Sequence, residues 1–406
     1  MMDQRRPDAF ADFRKMFPGA AELTYLDVAA RGLISRPVRQ VVDDYLDARM
    51  QGRADKAWMF ERSEGARAGC ARLIGAADDE IALIKNVSEG INAVACAIDW
   101  LAGDNIVLCE NLEHPANIFP WRNIARRCDL TIKSVAAENG RVDLSRIADA
   151  IDGRTRVVAI ASVSFAPGFR APLAELGALC RARGVLLVVD GAQSEGILQT
   201  DVEAMKIDAL ATSSQKGLLA LYGGGFLYVR RAVAEALSPS YLSRAGVAVA
   251  STHEASTGDT DSYQLASSAR RFDVGNHNFL AAIALEQSLR DLAALGSTRV
   301  EAHCTGLARQ LADDLRDLGL PILGDPVAQP SQIVAVGRVL SDDHDTSNDA
   351  ALIALHDFLT ANNVRLTIRR GILRFSFHAY NALEDVERVS ELAQTWLGRQ
   401  PSRPFG

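Results

Sequence analysis

The sequence predicts an α/β protein: a mainly parallel sheet covered by helices on both faces, followed by a smaller α+β domain. Three observations carry that expectation. Short, near-continuous apolar runs recur through residues 80–229, and they alternate with stretches of helical periodicity. Beyond residue 271 the order changes to long helices followed by late strands. Strands buried on both faces read as unbroken apolar runs, and helices between them bring like-directed strands side by side.

In chain order, residues 80–85 read as a strand and a helix follows from about Glu89. Residues 105–109 are a second strand, followed by a helix over 116–127. Further strands fall at 130–135, 156–162 and 185–189, with a helix at 173–183 between the last two. Residues 209–213 and 225–229 close the series. Residues 238–271, rich in Ser, Thr, Ala and Gly, read as a loop-rich connection. Helical patterns then cover 278–295 and 298–318, a strand lies near 333–336, and a helix spans 349–362. Strands at 364–368 and 373–378 and a helix at 383–397 complete the chain. The order suggests an N-terminal arm over 1–30, a large domain over 31–270 and a small C-terminal domain over 271–406.

At 406 residues, 48% hydrophobic and 23% charged, the chain has ordinary globular composition, which excludes disorder and fibrous repeats. The net charge of −7, with no run of five like charges, speaks against a nucleic-acid partner. No apolar run approaches the roughly 20 residues of a membrane span, and the charged N-terminus lacks the apolar core of a secretory signal. A cytoplasmic protein without membrane partners is expected. The six cysteines form no CxxC pair, so neither a disulfide framework nor a zinc site is expected, and no other metal site is. There are only six lysines (15, 56, 85, 133, 206 and 216) against 38 arginines.

Four local patterns carry chemistry. In VVDGAQ (188–193) an apolar strand ends on Asp190, where open α/β sheets bind ligands; a turn or cap residue is the plain alternative. In SSQKG (213–217) Lys216 leaves a strand on a loop of small residues, ahead of a glycine-rich return strand. A Schiff-base lysine needs such a fixed, partly desolvated place, and no other lysine of the chain has that context. Around Ser88, KNVSEG is a strand-to-helix turn whose first-turn N–H groups suit a phosphate, although Ser88 as an ordinary N-cap fits equally. His114, in EHPAN, stands at the exit of a strand, where it can lie against an aromatic ring or move protons.

Together these residues run in a familiar order: YLDVAA (25–30), EIALIKNVSEGIN (80–92), EHPANIFPW (113–121), VVDGAQ, SSQKG, RRFDVGN (270–276) and RRGILRFSFHAYN (369–381). The chain resembles the class V aminotransferase family, pyridoxal-phosphate enzymes that include cysteine desulfurases and isopenicillin N epimerase-like proteins. The resemblance implies the type I fold of these enzymes, with a mainly parallel seven-stranded sheet in the large domain, and pyridoxal 5'-phosphate as cofactor. It implies that Lys216 carries the cofactor, that Asp190 holds the pyridine nitrogen, that Gln193 bonds the phenolic oxygen and that His114 stacks on the ring. Val87, Ser88, Ser213 and Gln215 would hold the phosphate. Asn276 would reach it from a second subunit, making a homodimer with shared sites. Arg374 would grip the carboxylate of an amino-acid substrate, with Ala29 and Phe165 beside it. Burial among Leu373, Phe375 and Phe377 independently demands an anion for Arg374, and an internal salt bridge would also supply one.

The chain departs from the family at the substrate end. The desulfurase loop cysteine is missing before Arg374; Phe165 stands where relatives carry a polar residue, Gln215 where histidine is common, and Pro115 replaces a second histidine. The expected activity is therefore bond cleavage at the Cα of an amino acid, as a lyase or an epimerase/racemase. A true aminotransferase is the alternative, and a cysteine desulfurase a lesser one. A dinucleotide-binding reading fails because GGG (223–225) precedes a strand instead of opening a helix.

Overall fold

The structure, a computed structural model, describes residues 9–248, 263–324, 329–338, 345–400 and 405. Its centre is a seven-stranded sheet of β1 (Ile81–Ile84), β2 (Asn105–Leu108), β3 (Thr131–Ser134), β4 (Thr155–Ala161), β5 (Leu186–Asp190), β6 (Ala209–Ser213) and β7 (Gly225–Val229). The spatial order is β1-β7-β6-β5-β4-β2-β3, and only β7 runs against its neighbours. Parallel neighbours need a long crossover, and the segment between β6 and β7 contains no helix to provide one. It returns through Gly223 and Gly224 instead. At Gly225 a Cβ would lie 2.2 Å from the Thr212 carbonyl oxygen, so the return strand begins where only glycine fits. β2, β6 and β7 are buried throughout, as unbroken apolar runs require, while the edge strand β3 keeps Lys133 at the margin.

Residues 36–74, which show no strand pattern, form α1 (Arg36–Met50) and α2 (Lys56–Ile74). α3 (Val87–Ala95) and α4 (Leu173–Arg183) cover the sheet. α5 (Phe279–Leu295) spans the two cores. Its Ala282, Ala284, Leu285 and Leu289 share a core with the large sheet. Gly69 of α2 lets it approach so closely that a Cβ there would meet Leu289 Cδ1 at 2.9 Å. The C-terminal end of α5 enters the second core through Leu292 and Leu295, and α6 (Ser297–Asp317) continues it.

That second core holds a four-stranded antiparallel sheet of β8 (Ile322–Leu323), β9 (Ile333–Val336), β10 (Thr367–Arg369) and β11 (Ile372–Ser376), in the order β8-β9-β11-β10. α7 (Leu383–Gly398) packs on it. The N-terminal arm joins this core through Phe13, Phe17, Tyr25 and Leu26, and Thr24–Tyr25 pairs with Val364–Arg365. The expected strand over 364–368 is thus divided: its first residues pair with the arm, and its last ones open β10. β10 and β11 are joined by Arg370 and Gly371 alone, with φ of 50° and 85°. That is a two-residue hairpin turn in the left-handed region, whose twist matches the flanking strands. The expected loop-rich connection contains a short ribbon, Val247–Ala248 with Gln264–Leu265, and its residues 249–262 lie outside the described residues. Among the described residues no helix is long and apolar enough to cross a membrane, and no cluster of His, Cys, Asp and Glu could hold a metal ion.

Candidate active site

A cavity of about 360 Å³ opens at the carboxyl ends of β5 and β6 and against the N-terminus of α3. Asp190, the last residue of β5, is buried, and its Oδ1 accepts the Ala192 N–H at 2.9 Å. Burial raises its pKa, opposed by that hydrogen bond and by the charge of Lys216. Lys216 follows β6 by three residues. Burial pulls its amine down to about 8; Asp190 pushes it up, and Arg374 and Arg369 pull it further down. Its loop is held rigidly. Gly32 N–H donates to the Gln215 carbonyl at 2.8 Å, and Leu219 N–H to that of Lys216 at 3.0 Å. A Cβ on Gly217 would stand 2.4 Å from the Glu195 carbonyl, so glycine after the lysine is a packing requirement.

The other end of the cavity is a helix N-terminus. Asn86, not Ser88, is the N-cap of α3, its Oδ1 accepting the Glu89 N–H at 3.0 Å. Ser213 Oγ accepts the Val87 N–H at 3.2 Å. Ser88 is released from capping and lies exposed in the first turn, on the cavity wall. The positive end of the helix dipole, with the Ser88 hydroxyl exposed beside it, favours an anion there. Gln215 lines the same wall.

His114 is half-buried, its Nδ1 accepting the Ala116 N–H at 3.1 Å, and its ring meets Phe165 edge-on at 5.3 Å and 87°. The residue before it was not singled out by sequence. Glu113 is fully enclosed, accepting from Asn117 Nδ2 and from the Ala161 N–H, both at 2.8 Å. It pins the His114 turn to the cavity floor. Burial pushes its carboxyl up to about 8, with Asp190 adding to the rise. Tyr222, on the exposed return loop, also lines the cavity and was likewise missed; neither residue has a distinctive sequence context.

The substrate-side residues are arranged differently from expectation. Arg374, on β11, is 1% exposed and does not line the cavity. Its Nη1 donates to the Phe165 carbonyl at 2.9 Å and its Nη2 to Thr367 Oγ1 at 3.2 Å, with Asp27 Oδ1 3.5 Å away. The anion its burial demands is thus an internal carboxylate. Its Nε remains buried without a partner, and burial lowers its pKa to about 10 against the pull of Asp27. Ala29 sits behind the wall: its carbonyl accepts Gln193 Nε2 at 3.0 Å and its N–H donates to Ser376 Oγ at 2.9 Å. Gln193 lines the cavity with an amide oriented by the N-terminal arm. Asn276 lies elsewhere, in a separate recess of about 370 Å³ beside Lys85, Glu89 and Gly223–225 of the same chain.

None of the six cysteines, all of them described, lines the cavity. Four are buried, and burial pushes the Cys109 and Cys180 thiols up to about 12 and those of Cys70 and Cys304 higher still. The residues present fit pyridoxal phosphate. A helix end suits the phosphate, a buried carboxylate suits a ring-nitrogen proton, and an amine of lowered pKa stands in the same cavity.

A family model described as "Aminotransferase class-V" matches residues 24–389. The chain belongs to the class V aminotransferase family. Pyridoxal 5'-phosphate is its cofactor. Among similar members, a protein of Pyrococcus abyssi named "Probable cysteine desulfurase" is 29% identical, covering 93% of this chain and 94% of its own. Another of that name from Methanothermobacter thermautotrophicus is 30% identical over 95% and 98%. The solved structure of an apo cysteine desulfurase from Thermococcus onnurineus superposes with a TM-score of 0.82 at 26% identity, covering 98% of this chain and all of that one. This class V chain has the seven-stranded, mainly parallel sheet that its sequence predicts.

Proposed function

We propose that this class V enzyme breaks a bond at the Cα of an amino acid without a protein thiol, as a lyase or an epimerase/racemase. The observation that carries the reading is the cavity itself, where a lysine of lowered pKa shares the space with a buried carboxylate and no cysteine is on the wall. When bound, pyridoxal phosphate supplies an electron sink for the cleaved bond. Lys216 would bind the cofactor and move the Cα proton, a task suited to an amine whose pKa burial lowers. Asp190 would hold a proton at the ring nitrogen, Gln193 would bond the phenolic oxygen, and His114 would lie against the ring. Val87, Ser88, Ser213 and Gln215 at the α3 end would hold the phosphate, and Asn276 from a second copy of the chain would complete that end in a homodimer. Arg374 turns from Asp27 to hold the substrate carboxylate. Phe165 keeps the neighbouring space apolar and excludes water.

The names of the relatives favour a second reading, a cysteine desulfurase. Against it stands the β10–β11 turn, which is two residues long and leaves no loop to carry a nucleophilic cysteine. Incubation with a panel of amino acids, scoring keto acid, ammonia, sulfide, inverted product and Cα exchange in heavy water, separates the readings. The proposal expects Cα exchange with ammonia release or inversion. A persulfide on a protein cysteine after incubation with L-cysteine would restore the desulfurase, and stoichiometric conversion of the cofactor to its amine form would make the chain an aminotransferase.

A further inference from the structure

The carbonyls of the lysine loop all meet donors, and one donor comes from the small domain. Gly32 N–H serves Gln215, Leu219 N–H serves Lys216, and Ser288 Oγ serves Leu218. The carbonyl of Gly217 lies 2.8 Å from His378 Nε2. His378 Nδ1 accepts the Ala379 N–H at 2.7 Å, which leaves the proton on Nε2 and makes Nε2 the donor. The ring is completely buried and stacks on Tyr380 at 5.3 Å and 15°. Burial holds its pKa down to about 4, so the neutral tautomer persists across the working range. The acceptor is equally constrained: a Cβ on Gly196, at φ 87°, would lie 2.2 Å from the Gly217 oxygen. His378 follows Arg374 by four residues on the same chain segment.

We infer that His378 is a positioning residue: its Nε2–H clamps the Gly217 carbonyl and thereby ties Lys216 to the segment that carries Arg374. The inference rests on the proposed role of Lys216. Arginine and lysine stand on different domains, and this bond holds the backbone one residue from the lysine in register with the substrate-binding segment. Losing the donor strands a buried carbonyl and lets the loop shift relative to Asp190, Arg374 and Arg369, the groups that set the amine's titration.

The test compares His378→Phe, which keeps a flat ring on Tyr380 but no donor, with His378→Gln, which restores an N–H. In cofactor-free protein, the pH dependence of Lys216 acylation reads the amine's midpoint; in holoenzyme, dilution reads the rate of cofactor release. In His378→Phe the midpoint should move by about half a unit or more and release should quicken about tenfold, with His378→Gln closer to the parent. Unchanged midpoint and release in folded His378→Phe, or equal changes in both variants, would overturn the inference. Nitrogen NMR of the labelled parent protein reads the tautomer whether or not a variant folds, and a proton on Nδ1 would also overturn it. Borohydride reduction of the holoenzyme keeps the two claims apart: an adduct on another lysine sinks the role of Lys216, whereas an adduct on Lys216 with an unmoved midpoint sinks only the role of His378.

Discussion

The cavity wall that carries Asp190, Lys216 and α3 comes from neighbouring strand ends of one sheet, whereas the region around Arg374 is assembled from the N-terminal arm, the segment after β4 and the hairpin of the small sheet. On the first wall each residue lies within a few positions of a strand end, so geometry follows from local sequence. In the second region Arg374 reaches Phe165 across 209 positions, and Thr367 reaches Asp27 across 340. The chain's departures from its family divide between the two: Phe165 and the missing loop cysteine belong to the second region, whereas Gln215 and Pro115 stand at the first wall.

The largest expected effect breaks the first wall. Lys216→Ala should retain the fold and lose turnover by about a thousandfold or more, because no other lysine stands in the cavity. Borohydride reduction followed by peptide mass spectrometry checks this, and an adduct on a different lysine refutes it. Next comes Asp190→Asn, which should still bind pyridoxal phosphate yet slow turnover by about a hundredfold or more, since an amide cannot hold the ring-nitrogen proton as a carboxylate does. Near-normal rates would reduce Asp190 to a turn residue.

Arg374→Lys probes the second region. It keeps the charge and loses the planar fork, so amino-acid binding should weaken by about tenfold to a hundredfold while cofactor affinity holds. If only thermal stability falls, Arg374 serves Asp27 alone. Titration sharpens the contrast. Lys216 binds fewer protons folded than unfolded between about 8 and its ordinary 10.5, so this group adds stability as pH rises through that window and none below it. Cofactor-free parent protein should therefore gain on Lys216→Met across the window, by about 3 kcal/mol at most, as measured by denaturant unfolding. An absent or reversed trend would place the amine in water. The smallest effect is expected from replacing all six cysteines by alanine. Stability should drop because four are buried, but kcat in the folded variant should change by less than about twofold. Loss of activity would return a thiol to the mechanism.

Sequence made the first wall legible because a strand end followed by a turn is a local event. An apolar run, then DGAQ or SSQKG, puts a functional group at the rim of a sheet wherever the sheet is built. It left the cap of α3 open, since Asn86 and Ser88 both suit an N-terminus and only the backbone conformation chooses between them. It gave no sign that α5 spans both cores, because periodicity shows that a helix has an apolar face but not which core receives it. Glu113 escaped notice for a related reason: its chemistry comes from complete burial against Ala161 and Asn117, and a glutamate before a histidine carries no sign of that.

By itself the sequence determined the α/β class, the order of the strands along the chain, the single lysine followed by a glycine-rich return strand and the absence of a cysteine in the segment just before Arg374. These depend on residue type, on periodicity and on neighbours in the chain. Tertiary structure alone decided that Arg374 faces Asp27, that Gln193 is oriented by the N-terminal arm, that Asn276 sits in a separate recess, and that His378 holds the carbonyl beside Lys216. Each of these is a hydrogen bond, an ion pair or a placement set between segments far apart in the chain. Burial then sets how strongly each acts: it brings the Lys216 amine down to about 8, far from the value its residue type alone would suggest.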